Sequence, residues 1–135
     1  MATTSLHVAE RIDRPADEVY DYVLDPRHLH EWAPGLVRGK VEVVDGHWEA
    51  DSSMGRIVIG FAARNPYGVL DHDVTLPTGE TVSNPLRVLS VDEGEASEIV
   101  FTLHRRPGTS DAEFEADAAA VAADLAALKE QLESE

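Results

Sequence analysis

The sequence predicts an α+β fold in which a curved antiparallel sheet wraps one long C-terminal helix. A strand-like segment and two short helical segments open the chain, alternating segments separated by turns follow, and an amphipathic stretch ends it. Period-two alternation indicates half-buried strands, and a period near 3.6 indicates a helix. The predicted order is therefore β-αα-β6-α, with seven strands. The length of 135 residues suits one domain, and no linker or repeat divides residues 1–135.

The opening segment is predicted to be one strand followed by short helices over residues 15–24 and 26–32. Each helix has a proline in its first turn, where a missing N–H leaves no helical hydrogen bond unmade. Asp13 and Asp25 precede these prolines as expected caps, and Pro34-Gly35 is expected to end the second helix. The residues that share one face of the strand are Leu6, Val8, Glu10 and Ile12.

Six strands are predicted between the short helices and the long one. Asp45-Gly46 lies between two alternating segments and is a strong hairpin signal. The segment at 65–68 marks a later turn, and an acidic loop at 92–95 separates the last two strands, 81–91 and 97–105. The alternation places an apolar set on the inner face of this sheet: Trp48, Ile57, Ile59, Phe61, Leu70, Val74, Val88, Phe101 and Leu103.

The chain ends in the clearest predicted element. Ser110 and Glu113 have the spacing of a capping box, in which each side chain bonds the other residue's backbone N–H. A helix of about 23 residues would be about 35 Å long. One apolar stripe runs along it, and the sheet is the surface that can cover it. The stripe consists of Phe114, Ala118, Val121, Leu125, Leu128 and Leu132.

The segments "RIDRPADEVYDYVLDPRHLHEW", "MGRIVIGFAARNPYGVLDHDVTL" and "SEIVFTL", with the helix after "RRPGTSDAEF", resemble the SRPBCC superfamily of START, Bet v 1-like and polyketide cyclase proteins. The resemblance covers almost the whole chain and implies the helix-grip fold, with a cavity between sheet and helix. It also implies one of the functions found there: binding apolar or amphipathic small molecules, carrying lipids, cyclising or dehydrating polyketides, or acting as a co-chaperone. The short helices would then close one end of the cavity.

The alternation along the strands places two polar residues, His72 and Glu10, on the inner face, and these are the tentative catalytic groups. A histidine in an apolar cavity can orient a ligand carbonyl or transfer a proton. The assignment depends on register, because a shift of one residue moves a side chain to the opposite face. The residues predicted to contact a ligand are Tyr20, Trp32, Trp48, Ile57, Ile59, Phe61, Leu70, Val74, Phe101, Leu103, Val121 and Leu125.

Composition excludes several classes of partner. The net charge of −15 opposes binding to nucleic acid or to anionic lipid headgroups. There is no cysteine, no metal-ligand spacing and no nucleotide-binding motif, so we predict neither a metal nor a cofactor. The N-terminus resembles no secretory signal and no run is long enough to span a membrane. We expect a cytoplasmic monomer or homodimer whose partner is a small hydrophobic ligand.

Three functions stay open at this point. The first is a binding protein for a hydrophobic or amphipathic molecule, which needs only the apolar cavity. The second is a polyketide cyclase or dehydratase that holds a flexible chain in a reactive conformation and uses His72 or Glu10 as acid or base. The third is a co-chaperone-like interaction module. The sequence contains no paired acid–base arrangement, so whether the protein is an enzyme is left undecided.

Overall fold

The structure, a computed structural model, describes residues 4–34 and 36–134. Gly35, which was expected to help end the second helix, lies outside the described residues. The elements follow the predicted order of one strand, two short helices, a series of strands and one long helix. The strands are β1 (Ser5–Ile12), β2 (Arg38–Val44), β3 (His47–Ser52), β4 (Gly55–Phe61), β5 (His72–Thr75), β6 (Thr81–Asn84), β7 (Leu86–Val91) and β8 (Ala96–His104).

The strands form two antiparallel sheets rather than one sheet of seven strands. Within the described residues, one sheet has the order β1-β8-β7 and the other has the order β2-β3-β4-β5-β6. The α+β class and the wrapped C-terminal helix are as predicted. The strand count differs because the segment expected to form one strand over 81–91 is divided into β6 and β7.

Pro85 is the point of division. Proline has no N–H to donate to a ladder and therefore interrupts one. The pairs His72–Asn84 and Val69–Arg87 nevertheless keep a single register on either side of it. The amide of Leu86 donates to Oδ1 of Asp71 at 2.9 Å instead of to a strand carbonyl. A side chain thus replaces a backbone partner, and the two sheets stay joined at this corner.

Two short helices and one long helix complete the fold. They are α1 (Ala16–Leu24), α2 (Leu29–Trp32), which follows a 3-10 turn over Pro26–His28, and α3 (Asp111–Glu133). Asp25 caps the 3-10 turn as predicted, since its carboxylate accepts from the backbone N–H of Arg27 at 3.0 Å. The expected cap by Asp13 is wrong: Pro15 is the N-cap of α1 and no side chain bonds to it. The Asp13 carboxylate instead accepts from Nε of Arg11.

The long helix α3 begins and packs as its sequence indicates. Both capping-box hydrogen bonds are present at 3.1 Å, one from Glu113 N to the Ser110 hydroxyl and one from Ser110 N to the Glu113 carboxylate. The apolar stripe faces β1, β8 and α2. Phe114, Leu125, Leu128 and Leu132 are each at most 4% exposed. Burial of this stripe fixes α3 across the concave side of the sheets, where the candidate site lies.

Candidate functional site

A pocket of about 230 Å³ lies between the first half of α3 and the five-stranded sheet. Its lining comes from the end of α2, from strands β5, β6 and β8, from adjacent loops and from α3. Most of the lining is apolar, as is usual for ligand sites. The lining residues are Trp32, Ala33, Leu36, Met54, His72, Val74, Leu76, Val82, Asn84, Phe101, Arg106, Asp117, Ala120, Val121, Asp124 and Leu125.

The pocket exists because α3 presents small side chains at this level. Ala120 and Val121 line it, whereas the stripe positions that follow carry leucine, first at Leu125, which borders the pocket, and then at Leu128 and Leu132, which do not. An alanine or valine reaches less far toward the sheet than a leucine. The helix therefore stays at the distance set by its leucine half, and space is left beneath the other half.

The opening of the pocket is more acidic than basic. Asp117 and Asp124 of α3 line it, and so does Arg106 from the loop before α3. The guanidinium of Arg106 forms an ion pair with Glu80 in the β5–β6 turn. The lining thus carries two carboxylates and one guanidinium, and that guanidinium already has a carboxylate partner. This balance opposes the approach of an anionic ligand.

His72 is the buried ionisable group of the pocket wall. It lies on β5, is 4% exposed, and lines the pocket. Its Nδ1 lies 3.1 Å from the carbonyl oxygen of Leu70. Its ring packs on Phe61 at a centroid distance of 4.9 Å and meets Phe101 edge-on at 6.2 Å. The ring is therefore fixed by one hydrogen bond and two aromatic neighbours.

The protonation state of His72 follows from these contacts. A carbonyl oxygen can only accept, so Nδ1 carries the proton and donates it to Leu70. Burial lowers the pKa of His72 below its ordinary value, although the Leu70 carbonyl and the charges of Asp71 and Asp73 oppose this effect. At neutral pH the ring is therefore uncharged, and its Nε2 holds a lone pair that can accept a hydrogen bond or a proton.

Trp32 lines the pocket and carries a buried polar atom. The residue ends α2 and is 4% exposed. Its indole Nε1 is buried and has no hydrogen-bond partner among the described residues. A buried donor without a partner costs about 1–3 kcal/mol. The end of α2 thus retains a hydrogen-bonding group that the packed protein does not use.

The structure brings His72 together with five of the residues predicted to contact a ligand: Trp32, Val74, Phe101, Val121 and Leu125. It places the others elsewhere. Ile57, Ile59 and Leu70 are at most 2% exposed within the packed core, and Trp48 and Phe61 pack against that core. Leu103 is half-buried near the end of β8.

Two predicted residues lie apart from His72. Glu10 is half-buried on β1, which pairs with β8 at the Glu10–Ile99 position, and it is not part of the pocket lining. Tyr20 borders a separate surface groove, and its hydroxyl accepts from the backbone N–H of Asn65 at 2.8 Å. His72 and Glu10 therefore do not form an acid–base pair across the pocket.

Several lining residues were not predicted. Asp117 and Asp124 lie four before and three after Val121, so the helical period could have placed them beside the predicted Val121. Asn84 shares strand parity with Val82 on β6. Leu36, Met54 and Leu76 come from loops or strand ends, where no periodic signal exists to indicate which way a side chain faces.

Antiparallel sheets gripping a long C-terminal helix around a partly apolar pocket define a helix-grip protein. The chain belongs to the family described as polyketide cyclase / dehydrase and lipid transport, whose family model matches residues 3–133. This places the protein in the SRPBCC superfamily, in the class that binds ligands or cyclises polyketides. No curated protein matches the chain.

Solved structures share the fold at low sequence identity. The protein XoxI from Bacillus cereus has a TM-score of 0.72 at 11% identity, over 96% of this chain and 95% of that one. A START superfamily protein from Mycobacterium smegmatis has a TM-score of 0.70 at 11% identity, over 98% and 99%. The Zhui aromatase/cyclase from Streptomyces sp. R1128 has a TM-score of 0.68 at 19% identity, over 96% and 93%. Identities this low establish the fold alone.

Two further observations concern membranes and metals. Among the helices of residues 4–34 and 36–134, none is both long and apolar enough to cross a membrane. In the same residues, no three histidine, aspartate or glutamate side chains are grouped so that they could hold a metal ion.

Proposed function

We propose that the protein binds a hydrophobic or amphipathic small molecule in the pocket between the five-stranded sheet and α3. The observation that carries this proposal is a mostly apolar pocket of about 230 Å³ whose lining includes the buried imidazole of His72. Ligand sites are typically apolar with few polar groups that fix orientation. The family description, which includes lipid transport as well as polyketide cyclisation, supports the same class.

The volume limits the size of the molecule. An apolar cavity of about 150 Å³ holds a benzene ring, and drug-sized ligands occupy about 300–1,000 Å³. A pocket of about 230 Å³ therefore suits one or two fused rings or a short branched chain. A longer molecule would have to extend beyond the pocket.

The binding experiment compares two tryptophan substitutions on α3. Both alanines are exposed, but Ala120 lines the pocket and Ala119 does not, so Ala120→Trp adds an indole at the pocket and Ala119→Trp adds one beside it. We expect 1-aminonaphthalene, a neutral two-ring fluorophore, to bind the unmodified protein and Ala119→Trp but not Ala120→Trp. Native mass spectrometry of gently purified protein would identify any retained molecule. Equal binding by both variants would reject this pocket as the site.

A second candidate function is catalysis by His72. The observation that favours it is the neutral imidazole with a free Nε2 at the pocket wall, which is the form required of a general base. Glu10 is not part of the pocket lining, so His72 is the candidate acid or base there. The test measures cyclised product from a short poly-β-keto thioester. Acceleration that is lost in His72→Gln supports a cyclase, and absence of acceleration leaves binding without chemistry.

Three other expectations stay predictions. They are the organisation of residues 1–135 as one domain, the cytoplasmic location, and a monomeric or homodimeric state. Analytical ultracentrifugation at several concentrations tests the last of these directly.

A further inference from the structure

We propose that the pocket selects a neutral ligand that donates an O–H hydrogen bond to Nε2 of His72, such as a phenol or an alcohol. It discriminates against a carboxylate of the same shape. This inference rests on the proposed function, because it assigns a chemical class to the molecule in that pocket. It adds a direction to the hydrogen bond, which the presence of a histidine alone does not give.

The direction follows from the partner of Nδ1. In an unbroken ladder the carbonyl of Leu70 would accept from the amide of Leu86, because Leu70 N donates to Leu86 O at 2.8 Å. The Leu86 amide instead donates to Asp71, and Nδ1 of His72 takes its place at the Leu70 carbonyl. The ladder interruption beside Pro85 therefore determines which ring nitrogen carries the proton. Nε2 is left as an acceptor.

The acceptor is held in place before any ligand arrives. Phe61 and Phe101 pack against the ring, and Nδ1 is bonded within the same strand. Nε2 makes no hydrogen bond among the described residues. A ligand donor reaching it would gain a buried partner without reorganising the protein, whereas a ligand acceptor would bring two lone pairs together.

The charges at the opening act in the same direction. Asp117 and Asp124 line the pocket and carry negative charge, and Arg106, which also lines it, is paired with Glu80. The whole chain carries a charge of −15. An anion would be repelled by these carboxylates and would then meet Nε2 of His72, which accepts hydrogen bonds and cannot donate one. A neutral hydroxyl compound meets neither obstacle.

Four probes of nearly one shape test the inference by isothermal titration at pH 7. They are 2-naphthol, 2-methoxynaphthalene, naphthalene and 2-naphthoate. We expect 2-naphthol to bind at least about threefold more tightly than 2-methoxynaphthalene, because methylation removes the O–H donor. We expect 2-naphthoate to bind at least tenfold more weakly than 2-naphthol.

The variant His72→Phe keeps a ring at the site and removes the acceptor. Its affinity for 2-naphthol should fall by about tenfold, because the bound hydroxyl loses its partner. Its affinity for naphthalene, the matched control, should change by less than threefold. If this variant does not fold, the unmodified protein still gives an answer by NMR. The ¹⁵N resonance of His72 Nε2 should shift with 2-naphthol far more than with naphthalene.

The possible failures are distinguishable. If naphthalene and 2-naphthol bind equally well and respond equally to His72→Phe, the pocket binds ligands and the assignment of an O–H donor is overturned. Tighter binding of 2-naphthoate than of 2-naphthol also overturns it. If none of the four probes binds, the proposed function fails for molecules of this size and the inference fails with it.

Discussion

The two halves of α3 have the same helical period of apolar residues, but one half packs tightly against the core and the other borders a pocket. In the second half, Leu125, Leu128 and Leu132 are 1%, 0% and 3% exposed, and this half closes the core against β1 and α2. In the first half, Ala120 and Val121 stand over the pocket, with aspartates at its edge. Both halves carry apolar residues at intervals of three and four. The halves differ in the side chains at the level of the pocket, which are small in the first half, although Phe114 at the start of that half is large and buried.

This difference separates two properties of the sequence. Periodicity determines which face of the helix meets the sheet, and side-chain volume determines whether the interface is filled. Protein interiors normally pack as densely as organic crystals. A stripe that changes from leucine to alanine and valine on a rigid helix therefore leaves a gap at a defined level. The packed half of α3 stabilises the fold and determines the distance between the helix and the sheet. The other half leaves the space that forms the pocket.

The largest expected effect is the loss of stability when a leucine in the second half of α3 is truncated to alanine, compared with a valine in the first half. Leu128→Ala should lower the free energy of unfolding by about 2–5 kcal/mol, because it removes a fully buried side chain and leaves a cavity. Val121→Ala borders space that is already open, and it should cost less than about 1 kcal/mol. Urea denaturation of both variants measures the two values. Similar losses for both would mean that the first half is packed as tightly as the second.

The next effect is the response to added volume. Val23 of α1 is 0% exposed in the packed core, so Val23→Phe should cost about 1–3 kcal/mol or more through overpacking. Val121→Phe extends into the pocket and should cost less than about 1 kcal/mol while weakening ligand binding. Thermal unfolding and titration with 1-aminonaphthalene measure both properties. A strongly destabilised Val121→Phe would contradict the presence of usable space beneath α3.

The same distinction explains how much the sequence could predict. The α+β class, the short helices and the capping box at Ser110 and Glu113 depend on local signals, and the structure confirms them. The division at Pro85 carried a local signal too, since Asn84-Pro85 interrupts a strand. Because proline cannot donate to the ladder, residues 81–91 form two strands and not the single predicted one.

The pocket lining was harder to predict. Strand parity indicates which face of the sheet a side chain is on, but not whether that side chain borders a cavity or is packed in the core. Ile57, Ile59 and His72 share the concave face, yet only His72 lies where α3 leaves a gap. That location depends on how far α3 stands from each strand, which is set by contacts distant in sequence. The loop residues Met54 and Leu36 carried no signal because loops have no period that indicates which way a side chain faces.

A smaller effect concerns the cap that positions α2 and Trp32 beside the pocket. Hydrogen bonds from Arg27 lower the pKa of Asp25 to about 2. The stabilisation from the ionised carboxylate is present above the unfolded pKa near 4 and is lost as pH falls toward 2. Asp25→Asn retains a capping oxygen and removes the charge. It should cost about 1 kcal/mol at pH 6, because Arg27 is largely solvated and its pairing is screened.

The difference between the unmodified protein and Asp25→Asn should therefore shrink as pH falls from 5 to 2. Urea denaturation at three pH values measures it. Other carboxylates also titrate in this window, but they are present in both proteins and cancel in the difference. A difference that is constant with pH would assign the effect to capping geometry and not to charge.

The smallest effect on stability is expected at the opening of the pocket. Arg106 and Glu80 are 45% and 52% exposed, and exposed ion pairs contribute about 0–1 kcal/mol. Arg106→Gln and Glu80→Gln should each change the free energy of unfolding by less than about 0.5 kcal/mol. Their effects on 2-naphthoate should be opposite in sign. Removing Arg106 takes away the cation of the opening, whereas removing the Glu80 charge releases that cation from its partner.

Affinity for 2-naphthoate should therefore fall in Arg106→Gln and rise in Glu80→Gln, while affinity for neutral 2-naphthol stays within about twofold in both. Raising the salt concentration should reduce both changes, because exposed charges are screened over about 10 Å at 0.1 M. Changes of the same sign for the two probes would mean that these residues act through the shape of the opening. Opposite signs for the anion alone would separate charge at the opening from packing under α3, which is the property that creates the space.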